Sequence, residues 1–247
     1  MSRAIDSAYD DKFFDLQKIG ALRSARIVVP VLLNVIKPKS VVDVGCGHGA
    51  WLRAFQENGV QAIKGLDGAY VDQSKLLIDP ACFSPADLSQ PLKIDKPYDL
   101  VTCLEVAEHL PERVGRELIK SLTDTAPLVL FSAAIPGQES PTHINLQWPS
   151  YWQAMFEDCG FRRLDPIRRH IWHDDRVEWW YRQNIYLYAS EAAIINSSSL
   201  QKEQELAGTT EFELVHLSIF YRYKSLRGIV REVPRVARRK LRTYFTR

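Results

Sequence analysis

The chain has no apolar run long enough to span a bilayer: the longest candidate, Ile27 to Ile36, is broken by Pro30 and Asn34. Cysteine is scarce. Its four copies, Cys46, Cys82, Cys103 and Cys159, form no CxxC pair, which argues against a zinc ribbon or a disulfide scaffold and for reduced thiols. Residues 1–11 are polar and lack the basic-then-apolar order of a signal peptide, so the cytoplasm is the expected location. No internal repeat or low-complexity tract occurs. With 46% hydrophobic, 25% charged and 11% aromatic residues, the 247-residue chain has the composition of an ordinary globular protein and the length for one well-buried domain with additions.

Net positive charge is missing from most of the chain and concentrated at one end. The formal net charge is +2, yet residues 221–247 hold ten Lys or Arg against one acid, Glu232, so the body before them is acidic. Within Leu226 to Phe245, apolar Ile229, Val230, Val233, Val236, Leu241, Tyr244 and Phe245 recur near helical spacing, with Pro234 kinking or restarting the helix. Such a segment can pack on its own domain, lie on an anionic membrane surface or, less in keeping with this composition, bind nucleic acid. Peripheral membrane contact at the inner face is the ligand-binding role expected of it.

β-rich runs alternate with helical patterns along residues 38–190, the signature of βα units around a parallel sheet. The predicted strands are Ser40 to Val44, Ala62 to Leu66, Cys82 to Phe83, Tyr98 to Leu104 and Leu128 to Ala133. The intervening helices are Ala50 to Asn58 and Glu112 to Thr125, followed by one from Ser150 to Cys159 that puts Trp148 and Trp152 on one face. Two late runs, Phe161 to Pro166 and Asn184 to Ala189, have no evident helix between them and suggest an antiparallel pair at the sheet edge. The expected fold is therefore α/β, a doubly wound, Rossmann-like seven-stranded sheet. Residues 1–37 form an N-terminal helical cover, and 191–247 a linker or exposed helix followed by the basic amphipathic tail.

Val41-Val42-Asp43-Val44-Gly45-Cys46-Gly47-His48-Gly49-Ala50 is an apolar strand running through glycines into a helix, a construction that brings backbone N–H groups close to a ligand. Gly45-x-Gly47-x-x-Ala50, with Asp67 at the end of the next strand, also satisfies the loose dinucleotide fingerprint, so an NAD-dependent oxidoreductase stays open on this motif. Asp43 weighs against it. A carboxylate two residues before the first glycine would repel a pyrophosphate and suits a cationic ligand such as S-adenosylmethionine.

Together with Ala86-Asp87-Leu88 and the run from Tyr98 to Leu110 containing Leu104-Glu105-Val106-Ala107-Glu108-His109, these motifs resemble the class I S-adenosylmethionine-dependent methyltransferases. The resemblance covers roughly residues 38–190. It implies a donor site in which Asp43 and the backbone of Gly45, Cys46, Gly47 and Gly49 lie near the methionine part. It also implies Asp67 on the ribose, Asp87 near the adenine amine, and Leu88 and Leu104 against the ring.

Glu105, Glu108 and His109 at i, i+3 and i+4 would share one side of a helical turn directly after strand four, and His143 follows strand five on the same sheet edge. Carboxylates and imidazoles so placed can hold Mg²⁺ or Mn²⁺, which would lower the pKa of a hydroxyl acceptor. The turn is similar to the Glu-x-x-Glu-His turns of ubiquinone-biosynthesis O-methyltransferases and of plant small-RNA 2′-O-methyltransferases. Glu-His after strand four also occurs in methyltransferases that use no metal, where Glu105 would face the donor and His109 or His143 would be the base. The segments Pro136-Gly137-Gln138 and Glu178 to Asn184 resemble a bacterial subgroup associated with surface-polysaccharide and natural-product pathways, which implies methylation of an oxygen on a small polar, sugar-like or glycan acceptor. The N-terminal Tyr9, Phe13 and Phe14 and the aromatic stretch Trp172 to Tyr181 would contribute to its pocket. The other readings are a catalytically silent donor-binding scaffold and an RNA 2′-O-methyltransferase.

Overall fold

The structure, a computed structural model, describes residues 11–92, 94, 96–207 and 214–219, with side chains from residue 20 onward. Tyr9, the Phe13 and Phe14 side chains and the basic tail beyond 219 lie outside this set. The chain divides into two units, 1–213 and 214–247, and the second is described only for 214–219.

The first unit is built on seven strands: β1 (Ser40–Val44), β2 (Ala62–Asp67), β3 (Phe83–Pro85), β4 (Leu100–Leu104), β5 (Leu128–Ser132), β6 (Phe161–Leu164) and β7 (Tyr186–Ser190). Their order across the sheet is β3-β2-β1-β4-β5-β7-β6. The first five run parallel, and β7 pairs antiparallel with both β5 and β6. The chain winds outward from β1 to β3, then crosses back to β4 on the other side of β1. That switch opens a crevice at the carboxyl ends of β1 and β4, the usual ligand position in such sheets.

Side-chain alternation along each strand supplies two cores, one per face. Val41, Leu100, Leu104, Leu130, Leu187 and Ala189 point to one face. It is covered by α1 (Asp11–Leu33) and α2 (Ala50–Glu57), which bring Val28, Val29, Leu32, Leu52 and Phe55. Val42, Val44, Val101, Cys103, Val129, Phe131, Tyr186 and Tyr188 face the other way. They meet α3 (Glu112–Thr125) and α4 (Pro149–Asp158) through Leu118, Ile119, Leu122, Trp152 and Phe156. Phe156 stacks on Tyr188 at 3.8 Å between ring centroids.

Three sequence expectations change. The late strands are separated by two short helices, α5 (Arg168–Ile171) and α6 (Trp179–Asn184), too short to give a helical periodicity. Trp148 and Trp152 do not share a buried face: Trp148 precedes α4 at its N-cap and is exposed, whereas Trp152 is buried. The segment read as a linker or exposed helix forms α7 (Glu191–Ile195) and α8 (Ser198–Ala207) and belongs to the folded unit. Leu200, Glu203 and Ala207 of α8 recur at i, i+3 and i+7 and are buried, and Arg169 grips the Glu203 carboxylate through two nitrogens at 2.7 and 2.6 Å. The polar composition of the segment concealed that narrow inward stripe. Among the described residues, no helix is long and apolar enough to cross a membrane.

Candidate active site at the carboxyl edge of the sheet

Three loops meet at the crevice. The first follows β1. Gly45 adopts φ +80°, and a Cβ there would lie 2.3 Å from a methyl carbon of Val106, so glycine lets the loop after β1 pass beneath the loop after β4. At Gly47, φ +51°, a Cβ would meet nothing within 4 Å, so its backbone borders open space. Its N–H donates to Asp67 Oδ2 at 2.7 Å, tying this loop to the end of β2. Asp67 Oδ1 accepts from the Gly68 N–H at 2.6 Å and the Tyr70 hydroxyl at 2.5 Å.

Asp43 is buried inside β1. The register sets it beside Thr102 of β4, whose hydroxyl donates to Oδ1 at 2.5 Å, while Oδ2 has no hydrogen-bond partner. Burial, reinforced by the charge of Asp67 and opposed by the Thr102 bond, pushes its carboxyl up to about 7. A buried carboxylate with one unmatched oxygen fits a cationic ligand above it.

The second loop follows β4. Glu105 has φ +56° and, among the described residues, is the non-glycine residue with positive φ. A conformation so rarely adopted by a side-chain-bearing residue persists only where the surroundings hold it. Its N–H is shared between the carbonyl and hydroxyl oxygens of Ser132, and its Oε1 accepts from Asn184 Nδ2 at 3.2 Å. After it, Ala107–His109 forms a single 3-10 turn. Neither oxygen of the buried Glu108 carboxyl makes a well-formed hydrogen bond, although the Ala134 N–H and the Glu105 carboxyl are near enough to influence its titration. Burial raises both glutamates above the usual carboxylate range, and the charge of Glu105 raises Glu108 further.

The third loop follows β5 and is strapped to the second. The Glu108 carbonyl accepts from the N–H groups of Ile144 and Asn145 at 2.9 and 3.0 Å, and this brings His143 to His109, with ring centroids 4.8 Å apart. His109 Nδ1 faces the Thr142 carbonyl at 3.2 Å, and His143 Nδ1 the Gln138 carbonyl at 2.6 Å. A carbonyl oxygen only accepts, so each Nδ1 carries a proton, and in a neutral ring the lone pair is then on Nε2. Partial burial and the adjacent His143 lower the pKa of His109, favouring the neutral ring. One ligand atom each from Glu108, His109 and His143 lie within 4.8 Å of one another. Two imidazoles and a buried carboxyl group without a well-formed hydrogen bond are a donor set that fits a divalent cation.

A family model described as a methyltransferase domain matches residues 23–182, spanning both the donor-side loop and the histidine pair. The chain belongs to the class I S-adenosylmethionine-dependent methyltransferases. Similar sequences include ubiquinone biosynthesis O-methyltransferases of Neisseria meningitidis serogroup C, 29% identical over 149 residues covering 54% of this chain and 62% of the relative. Another is from Coxiella burnetii, 29% identical over 128 residues, covering 44% and 53%. This methyltransferase thus spans less than two thirds of the length of those relatives. Its fold is similar to an S-adenosylmethionine-bound amino pentose methyltransferase from Micromonospora echinaspora, with TM-score 0.55, 12% identity and coverage of 73% and 97%. It is also similar to an O-methyltransferase family protein from Burkholderia thailandensis, with TM-score 0.52, 15% identity and coverage of 74% and 60%.

In this methyltransferase the expected cluster of four acidic and histidine residues is regrouped. Glu108, His109 and His143 come together, whereas Glu105 lies before the 3-10 turn, not on it, and spends Oε1 on Asn184. The i, i+3, i+4 argument assumed a continuous helical turn, which the left-handed backbone at Glu105 prevents. Asp43, Gly45, Cys46, Gly47, Gly49 and Asp67 line the β1 and β2 ends together. Asp87 is exposed and its Oδ1 accepts from the Ser89 N–H and hydroxyl at 2.9 and 2.6 Å, an Asx turn that lowers its pKa. Leu104 and Leu88 belong to the apolar clusters of opposite sheet faces. Sequence reasoning assigned no role to Gln138, Gln183 and Asn184, which are buried beside Glu105. Their sequence signal was membership of the Pro136-Gly137-Gln138 and Glu178 to Asn184 segments, which carried a resemblance but no role for these amides.

Proposed function

We propose that this chain transfers a methyl group from S-adenosylmethionine to an oxygen of a small polar acceptor, of the sugar-like or natural-product class. The observation that carries this reading is the meeting, on one sheet edge, of a carboxylate-lined glycine loop with the His109–His143 pair, each ring held at Nδ1 by a backbone carbonyl. The names of the sequence relatives support oxygen as the acceptor atom, and they keep a ring hydroxyl of a quinone precursor as the second acceptor to test.

The donor, when bound, supplies an activated methyl on a sulfonium with a good leaving group, so the protein's task is chiefly alignment and proton removal. Asp67, already fixed by the Gly47 and Gly68 N–H groups, would accept from the ribose hydroxyls. Asp43 would act through its charge beneath the loop, and Asp87 and Leu88 would border the adenine. On the other side, His143 or His109 would take the acceptor's hydroxyl proton at Nε2, while its Nδ1–H stays hydrogen-bonded to the backbone carbonyl that fixes the ring. In the alternative arrangement Glu108, His109 and His143 would instead hold Mg²⁺ or Mn²⁺, which would acidify the hydroxyl in place of a histidine base.

The test is to incubate the protein with methyl-labelled donor and a panel of sugars, glycans and dihydroxylated rings, with and without EDTA. Label on an oxygen of a polar acceptor is the expected result, and loss of transfer in EDTA supports the cation. Label appearing only on nitrogen or carbon acceptors overturns the oxygen assignment, and the absence of S-adenosylhomocysteine binding overturns the donor site.

A further inference from the structure

The three buried amides beside Glu105 form a closed set. Gln138 Oε1 accepts from the Ile135 N–H at 2.9 Å, from Asn184 Nδ2 at 3.0 Å and from Gln183 Nε2 at 3.3 Å. Gln183 Nε2 also donates to Asn184 Oδ1 at 3.0 Å. These contacts leave no ambiguity about which way each amide faces. The Ile135 N–H can only donate, so Gln138 must turn its oxygen to that point. Asn184 and Gln183 must then present their NH₂ groups to it. One proton of the Asn184 NH₂ is used on Gln138, and the second points to Glu105 Oε1 at 3.2 Å.

The set is anchored from outside as well. Arg168 donates from Nη1 to the Gln183 carbonyl at 3.1 Å. Its Nη2 and Nε grip the Asp165 carboxylate at 2.7 and 2.9 Å, and its guanidinium lies over the Tyr186 ring at 4.2 Å. A buried polar network with its members mutually matched is rigid and costly to disturb. Here it ends on the left-handed Glu105, whose backbone N–H is itself held by Ser132.

We propose that Asn184 is a positioning residue for Glu105: the amide set directs one N–H at that carboxylate and fixes it at the tip of β4, where its charge favours a cationic donor over the neutral product. This rests on the donor reading above and adds to it the residue that sets charge discrimination. Glu105 acts on the donor, and Asn184 acts through Glu105.

The experiment compares S-adenosylmethionine with S-adenosylhomocysteine by calorimetry on the full chain, for the wild type, Glu105→Gln, Asn184→Ala, Asn184→Ser and the double variant Glu105→Gln/Asn184→Ala. Thermal unfolding checks that each is folded, and the serine variant, whose hydroxyl is too short to replace the amide, stands in if the alanine variant does not fold. Glu105→Gln is expected to narrow the preference for the cation by roughly tenfold. Asn184→Ala or Asn184→Ser should reproduce most of that loss, and the double variant should be no worse than Glu105→Gln alone. A loss equal for both ligands, effects that add in the double variant, or an unchanged preference in either single variant overturns the proposal. Asp67→Ala separates this from a failure of the donor reading: if it leaves S-adenosylhomocysteine binding intact, the donor site itself is misplaced.

Discussion

The two sides of the crevice are built from different materials. The β1–β2 side is mostly backbone: glycine N–H groups, a strand carboxylate and one carboxylate, Asp67, tied to the loop it supports. The β4–β5 side is made of side chains, with paired imidazoles oriented by carbonyls and Glu105 held by amides from a helix 79 residues away in sequence. A backbone-built site is set by local sequence, so it is robust to changes elsewhere in the chain. A side-chain-built site depends on distant partners, which is where one methyltransferase can come to differ from another.

If that division is right, breaking each side should give a different kinetic signature. The largest effect is expected from His143→Ala, which should lower turnover by about 10²–10⁴-fold while leaving S-adenosylhomocysteine affinity unchanged, as measured by steady-state rates and calorimetry. Asp67→Ala should do the reverse, weakening S-adenosylhomocysteine binding by roughly a hundredfold through lost charge-assisted hydrogen bonds. A His143 variant that loses donor affinity would erase the comparison.

Asp43 sharpens it further. Its carboxyl is held up to about 7 from a reference value of 3.8, so between about pH 4 and 7 the folded chain keeps a proton that the unfolded chain has lost. Stability conferred by this group is therefore present below about pH 4 and falls as pH rises through 7. Urea titrations across that range should show Asp43→Asn with a flatter profile than wild type. Donor binding near pH 6 should release a proton, read from calorimetry in buffers of different ionisation heat. The smallest effect belongs to Arg113→Ala, which breaks an exposed pair with Glu117 within α3 and should leave melting temperature and rates within error.

Much of the donor side was legible in the chain itself. The alternation of β-rich and helical runs marked all seven strands, and Asp43, the three glycines and Asp67 stood out because their placement at the ends of β1 and β2 follows from short-range spacing. The acceptor side was legible only as residue types. Glu105, Glu108, His109 and His143 were all noticed, but the grouping differed, since helical spacing cannot foresee a left-handed residue at 105. His143 joined His109 through two backbone hydrogen bonds to the Glu108 carbonyl, which no periodicity encodes. The narrow inward stripe of α8 was hidden for a related reason, Leu200, Glu203 and Ala207 including only two apolar residues in a polar segment.

Local pattern by itself determined the layered α/β sheet, its winding and the glycine loop, because strand alternation and βα turns are written within a few residues of one another. Tertiary structure alone decided which imidazoles meet, which carboxylate is strained and which amides hold it. Those relations join residues that follow β4 and β5 with the end of α6, and what fixes them is the matching of buried donors to buried acceptors, a condition satisfied only once the sheet has brought the three segments together.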